Sequence, residues 1–135
     1  MATFTKVLSF TEAVAEKVHN LGSDTLTIAL TNTTPTTTWT QLSDLTEVSY
    51  TNLSSRVITT TSSSQTTGTY KLVLADLTLT ATGAVGPFRY VYIYNDSAAN
   101  DELVAYFDYG SEVTLADTNT FKCDFDASSG VLTIA

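Results

Sequence analysis

Phe88-Arg89-Tyr90-Val91-Tyr92-Ile93-Tyr94 places three tyrosines on one side of an extended chain and Val91 and Ile93 on the other. Successive side chains of a strand point to opposite faces, so this segment is apolar or aromatic on both and belongs at the centre of a sheet. Working outward, Thr25-Leu26-Thr27-Ile28-Ala29-Leu30-Thr31 alternates apolar and hydroxyl side chains, as a strand with one wet face should. Leu77-Thr78-Leu79-Thr80-Ala81-Thr82 repeats that pattern. Arg56-Val57-Ile58 opens a strand running into Thr59-Thr60-Thr61, and Tyr70 to Leu74, Leu103 to Tyr109, Glu112 to Leu115, Phe121 to Asp126 and Val131 to Ile134 supply further candidates. Regularly spaced strands with turn residues between them and no second helical pattern predict a mainly β chain. The expected architecture is an antiparallel β-sandwich, jelly-roll-like, of about eight strands.

One helix is expected, over residues 9–21. Phe10, Ala13, Val14, Val18 and Leu21 make a single apolar stripe. Ser9 and Glu12 have the spacing of a capping box, Gly22 supplies a stop, and Lys17 and His19 suit the negative end of the dipole. Residues 1–8 are either an N-terminal arm or, from Phe4 to Leu8, the first strand of the sandwich. With 135 residues the chain is expected to form one domain.

Only 15% of residues are charged, against roughly 25% in a typical soluble domain. The polar surface is made up instead by 27 Thr and 13 Ser. Neutral hydroxyls cost less to desolvate than ions and still hydrogen-bond, which suits a surface packed against protein neighbours. A net charge of −8 with no basic cluster argues against nucleic-acid binding. No apolar run approaches a membrane span or a signal peptide, so membrane binding is not expected and synthesis in a cytosol is. Only four lysines are present, few to blunt exposed strand edges.

No enzyme is expected. His19 is the single histidine and is read as a solvated residue at the helix end. Cys123 alternates with Phe121 and Phe125 and reads as a buried structural thiol, and as the lone cysteine it forms no intramolecular disulfide. Asp96, Asp101 and Glu102 share a loop, and Asp124 and Asp126 share a strand face, but the spacing matches no calcium-loop template. Neither metal nor cofactor is expected. Asn-x-Ser/Thr sequences at Asn32, Asn52 and Asn95 are a chance-level count in a chain this rich in hydroxyls. Two features bear on partners. The row Tyr90, Tyr92, Tyr94 either packs under the helix or a second layer, or forms a platform for sugar or protein. Thr31 to Thr40, with seven Thr, reads as an extended surface loop in which Trp39 pins the loop to the body or is presented to a partner.

The run Glu16-Lys17-Val18-His19-Asn20-Leu21-Gly22-Ser23-Asp24-Thr25-Leu26, continuing into Ala29-Leu30-Thr31-Asn32-Thr33 and Pro35, resembles the N-terminal portion of small virion structural proteins of tailed bacteriophages. So do Gly86-Pro87-Phe88-Arg89-Tyr90-Val91, Tyr94-Asn95-Asp96 and Tyr106-Phe107-Asp108-Tyr109-Gly110. The resemblance is to capsid decoration, or cement, proteins of jelly-roll type. It implies a non-enzymatic protein on the outer head surface, a homotrimer, with the major capsid protein as partner. It also implies contacts from the N-terminal segment, at Thr3, Phe4 and Lys6, with Trp39 as a second contact. A tail or neck component, or a carbohydrate-binding sandwich using Tyr90, Tyr92, Tyr94 or Trp39, is the alternative.

Overall fold

A computed structural model describes residues 2–135 of the chain. The elements run β1 (Thr3–Lys6), α1 (Phe10–Ala15), β2 (Leu26–Thr31), β3 (Val57–Ile58), β4 (Thr60–Thr66), β5 (Thr69–Leu74), β6 (Leu77–Thr80), β7 (Val85–Asn95), β8 (Leu103–Leu115), β9 (Thr120–Cys123) and β10 (Leu132–Ile134). A five-stranded sheet in the order β1-β8-β7-β2-β3 faces two smaller sheets, β10-β5-β4 and β6-β9, and every pairing is antiparallel. The chain is therefore a β-sandwich with one short helix. Among the described residues, ten strands replace the expected eight or so. The Arg56 strand is divided at Thr59, with β3 pairing in the large sheet and β4 in the three-stranded one. The expected strands at 103–109 and 112–115 are instead one strand, β8, which passes through Gly110 at φ +97.

β7 lies inside the large sheet, between β2 and β8, as its two apolar faces require. Val91 and Ile93 look into the main core with Leu26, Ile28 and Leu30 of β2, Leu72 and Leu74 of β5, and Leu79, Phe121 and Cys123 of the two-stranded sheet. Phe88 meets Phe121 edge to face at 5.1 Å. Tyr90, Tyr92 and Tyr94 form a second cluster on the other face with Val7, Ala29, Leu45 and Leu103. A register shift opposite Ile93/Tyr94 lets Leu103 join the tyrosine face while Val104 and Ala105 both serve the main core. Gly86 sits where β7 is irregular. Its φ of +115 and a would-be Cβ only 2.7 Å from the Val113 carbonyl require glycine there.

The expected wet face of β2 is not found. β2 is buried on both faces, so Thr27 and Thr31 do not mark a wet side. The Thr31 hydroxyl donates to the Thr46 carbonyl of the loop after β2 at 2.7 Å, and that of Thr27 to Asp96 Oδ2 at 3.4 Å. By contrast β6 keeps the simple alternation, with Leu79 buried and Thr78 and Thr80 exposed.

The helix ends far short of residue 21. Lys17 takes φ +65, Val18 N–H donates to the Ala13 carbonyl at 2.8 Å and Lys17 N–H to that of Val14 at 3.2 Å. These two bonds form a Schellman closure on a non-glycine residue, five residues before the predicted stop. Ser9 makes no side-chain cap bond, because it is itself in the helical region (φ −70, ψ −10), so the predicted capping box is absent. A tight hairpin joins β4 to β5, with Thr67 and Gly68 at φ +50 and +87.

Candidate functional site

Residues 3–6 lie on the body of the protein as strand β1 rather than extending as an arm, and Met1 is outside the described residues. Paired to β8 in the register Phe4↔Phe107, Thr5↔Tyr106 and Lys6↔Ala105, β1 is the edge of the large sheet. Cα partners share a face, so Phe4 and Lys6 look toward the main core and Thr3 and Thr5 toward the tyrosine side. Val7 N–H donates to the Val104 carbonyl at 3.1 Å. Backbone groups alternate inward and outward along a paired strand, so the N–H and C=O groups of Phe4 and Lys6 point out of the sheet. No strand pairs with them among the described residues.

Beside this edge the sandwich is open. A groove of about 580 Å³ is lined by Phe4, Phe107, Tyr109, Phe121, Phe125 and Val131, with Val91 and Cys123 among the residues at its wall. A second depression, of about 430 Å³, adjoins it past Phe4 and runs between Lys6, Phe10 and the 129–133 segment that ends in β10. The aromatic rings hold one another in place. Phe4 and Phe107 meet edge to face at 5.4 Å, while Tyr109 packs tilted on Phe121 at 5.3 Å and Phe107 tilted on Phe125 at 6.1 Å. Phe4 is 36% exposed and Tyr109 48%, which is where the groove meets solvent.

Polar groups brace the walls. Arg89 holds Asp108 with two bonds, Nε–Oδ1 at 2.8 Å and Nη2–Oδ2 at 3.1 Å, and this keeps the Asp108 carboxyl below the usual range. Lys122 pairs with Asp76 at 3.0 Å and lowers it likewise. Asp126 accepts the N–H groups of Ser129 at 2.9 Å and Ser128 at 2.8 Å, which draws its pKa down to about 2 and fixes the turn that leads into the groove wall. Gly130 follows at φ +79, with a would-be Cβ 2.6 Å from Lys71 Cγ and 2.7 Å from the Leu72 carbonyl, so glycine is required there too.

Thr3, Phe4 and Lys6 are brought together at this edge, all three exposed. Trp39 is not with them. It is half-buried on the opposite face of the large sheet, 6.2 Å from Tyr92 by ring centroids. The loop carrying it is stitched down on both sides, by Val48 N–H to Leu30 carbonyl (3.0 Å), Leu42 N–H to Asp101 carbonyl (3.0 Å) and Leu103 N–H to Thr40 carbonyl (3.0 Å). Asp44 closes the loop's single 3-10 turn by accepting from the Thr40 and Gln41 N–H groups. Trp39 therefore pins the loop. Tyr90, Tyr92 and Tyr94 lie beneath it at 7%, 1% and 4% exposure, so they offer no platform. Burial pushes the Tyr94 hydroxyl up, as it does Tyr92.

Sequence reasoning missed Phe107, Tyr109, Phe121, Phe125 and Val131 as one surface. Alternation of Phe121, Cys123 and Phe125 was legible as a shared face, but not that this face meets Phe4 and Tyr109 across an unclosed edge. Phe121, Cys123 and Phe125 are indeed on one buried side, with Asp124 and Asp126 exposed on the other. Burial pushes the Cys123 thiol up to about 12, so the thiolate needed for nucleophilic chemistry is not formed near neutral pH. Among the described residues no group of three or more His, Cys, Asp or Glu is placed to hold a metal ion, and no helix is long and apolar enough to cross a membrane. His19 departs from expectation: it is buried, not solvated, because Phe10 stacks on its ring and Asn95 bonds its Nδ1. No protein-family model, no curated protein and no solved structure matches this chain.

Proposed function

We propose that this chain is a non-catalytic structural protein that docks on a neighbouring protein through the free β1 edge and the aromatic groove beside it. The observation that carries this reading is the coincidence of unpaired Phe4 and Lys6 backbone groups with the exposed rings of Phe4 and Tyr109. Unpaired edges and apolar patches are what soluble proteins normally blunt. The resemblance of the sequence to capsid decoration proteins gives the reading its specific form. The protein sits on the outer head surface of a bacteriophage virion, is made in the host cytoplasm, binds major capsid subunits, and assembles as a homotrimer.

Magnitudes fit such a role. Full burial of one large apolar side chain contributes about 1.5–3 kcal/mol, and Phe4 and Tyr109 are already half-covered, so each adds about half of that. Two rings and a few strand hydrogen bonds hold one copy weakly. Several copies joined on a repeating lattice hold firmly, because later contacts form at high effective concentration. Burial of Tyr90, Tyr92 and Tyr94 removes the platform on which a carbohydrate-binding alternative rested. A tail or neck location shares the same surface logic, and immunogold labelling of virions separates it from the head.

The test is to mix the purified protein with expanded capsids that lack it. Saturable, stoichiometric binding and a higher temperature of capsid disruption are expected, and both are lost with Phe4→Ser combined with Tyr109→Glu. Absence of binding by the unaltered protein contradicts the reading.

A further inference from the structure

His19 is the only histidine of the chain. It is 6% exposed, lies against Phe10 of α1 with ring centroids 5.4 Å apart, and reaches Asn95 at the end of β7. The donors and acceptors around Asn95 fix the state of the ring. Asn95 Oδ1 accepts the Ser97 N–H at 3.0 Å. Asn95 Nδ2 gives one hydrogen to Asp24 Oδ2 at 2.6 Å and the other to His19 Nδ1 at 2.9 Å. Turning the amide over would set its oxygen against the Asp24 carboxylate and its NH₂ against the Ser97 N–H. His19 Nδ1 is therefore the acceptor nitrogen and the proton sits on Nε2. Nε2 is buried and has no partner among the described residues. An imidazolium needs an acceptor at each nitrogen; here Nδ1 faces a donor.

What this contact fastens is the segment after the helix. Asp24 also accepts the Asn20 N–H at 2.7 Å, and Asp24 N–H donates to the Asn20 carbonyl at 2.8 Å, so the turn 20–24 is closed on itself and tied to β7 through Asn95. Asp96 N–H adds a bond to the Thr25 carbonyl at 2.9 Å. The charged groups acting on the ring are Glu102, in the loop between β7 and β8, and Asp24, in the turn. Both favour the imidazolium. Burial opposes them and dominates, leaving the ring harder to protonate than a free histidine.

We propose that His19 is an acid-sensitive latch: protonation at Nδ1 sets donor against donor at Asn95, and the segment Phe10–Asp24 detaches from the end of β7 while the sandwich stays folded. The released ring protonates at its ordinary value of about 6.5, whereas the latched ring resists, so protons favour release. Latching is complete above about pH 6.5 and is lost as pH falls toward the lower value of the buried ring. The bonded carboxyls of Asp76, Asp108 and Asp126 are all held below 3.8 and give up their contribution only in stronger acid, outside this window. Release uncovers Phe10 and Leu21, now 4% and 7% exposed, and Phe10 borders the second depression beside β1. The latch stands on its own geometry and does not depend on the docking role.

Two measurements on the intact chain test it. Side-chain NMR of the single histidine between about pH 8 and about pH 4.5 should show His19 neutral with its proton on Nε2, titrating below about 6.5. Amide exchange, corrected for its intrinsic pH dependence, should show opening of residues 10–24 rising by up to about tenfold per pH unit across that window, with β7 still protected. His19→Phe keeps an aromatic ring against Phe10 and should abolish the extra pH dependence of exchange in this segment. Titration at or above 6.5, a proton on Nδ1 at neutral pH, or loss of protection in β7 together with residues 10–24 would overturn the latch. The histidine titration decides without the variant should His19→Phe fail to fold.

Discussion

Two aromatic clusters flank the large sheet, and they have opposite fates. The tyrosine row of β7 is sealed, because a loop stitched to β2 and to the β7–β8 connection lays Trp39 over Tyr92. The phenylalanine row formed by Phe4, Phe107, Phe121 and Phe125, with Tyr109, lies at a corner where β1 ends one sheet and, among the described residues, no strand closes the groove toward β9 and the 126–131 turn. Both clusters bury most of their rings. The difference is an edge: a face with strands on either side can be roofed by one loop, whereas an edge also leaves backbone groups of Phe4 and Lys6 unpaired, which only another strand or solvent can satisfy. Aromatic density alone does not leave a surface open; the proposed docking surface is aromatic density beside an unpaired strand edge.

That contrast can be broken by substitution. Tyr92→Ala removes a fully buried ring from the sealed side and should lower stability by about 3–5 kcal/mol in urea unfolding, enough to consume much of a small domain's margin. Trp39→Ala unroofs the same side but removes only a half-buried ring, for which about 1–3 kcal/mol is expected, together with faster amide exchange in residues 32–48. On the open side, Phe4→Ser should cost only about 1 kcal/mol by the same unfolding assay while weakening partner binding several-fold. If Phe4→Ser destabilises as much as Tyr92→Ala, the two clusters are both simply core and the contrast collapses.

The central position of β7 was readable because the five residues Tyr90 to Tyr94 are apolar or aromatic whichever way they point. The mainly β class was readable for the same local reason. What escaped depended on residues far apart in sequence. Thr27 and Thr31 alternate with leucine and isoleucine as solvent-facing residues do, but threonine is small and apolar enough to be buried once its hydroxyl finds a partner such as the Thr46 carbonyl. His19 lies 76 positions from Asn95, so no local pattern announces that pairing. The helix stop at Lys17 was hidden because a lysine, not a glycine, takes the left-handed conformation. Of the candidate contact residues, Thr3, Phe4 and Lys6 are gathered at the open edge, and Trp39 belongs to the sealed face. Phe107, Tyr109 and Phe121 could not be joined to Phe4 without the strand register.

Cryo-electron microscopy of the virion to which the proposal assigns this protein tests the central claim most directly, since it shows which surface of each copy meets a neighbour. The account predicts that β1 is extended by a strand or segment of another chain and that Phe4 and Tyr109 are covered. A particle in which that edge and groove face solvent in every copy, with contacts made elsewhere, would contradict it.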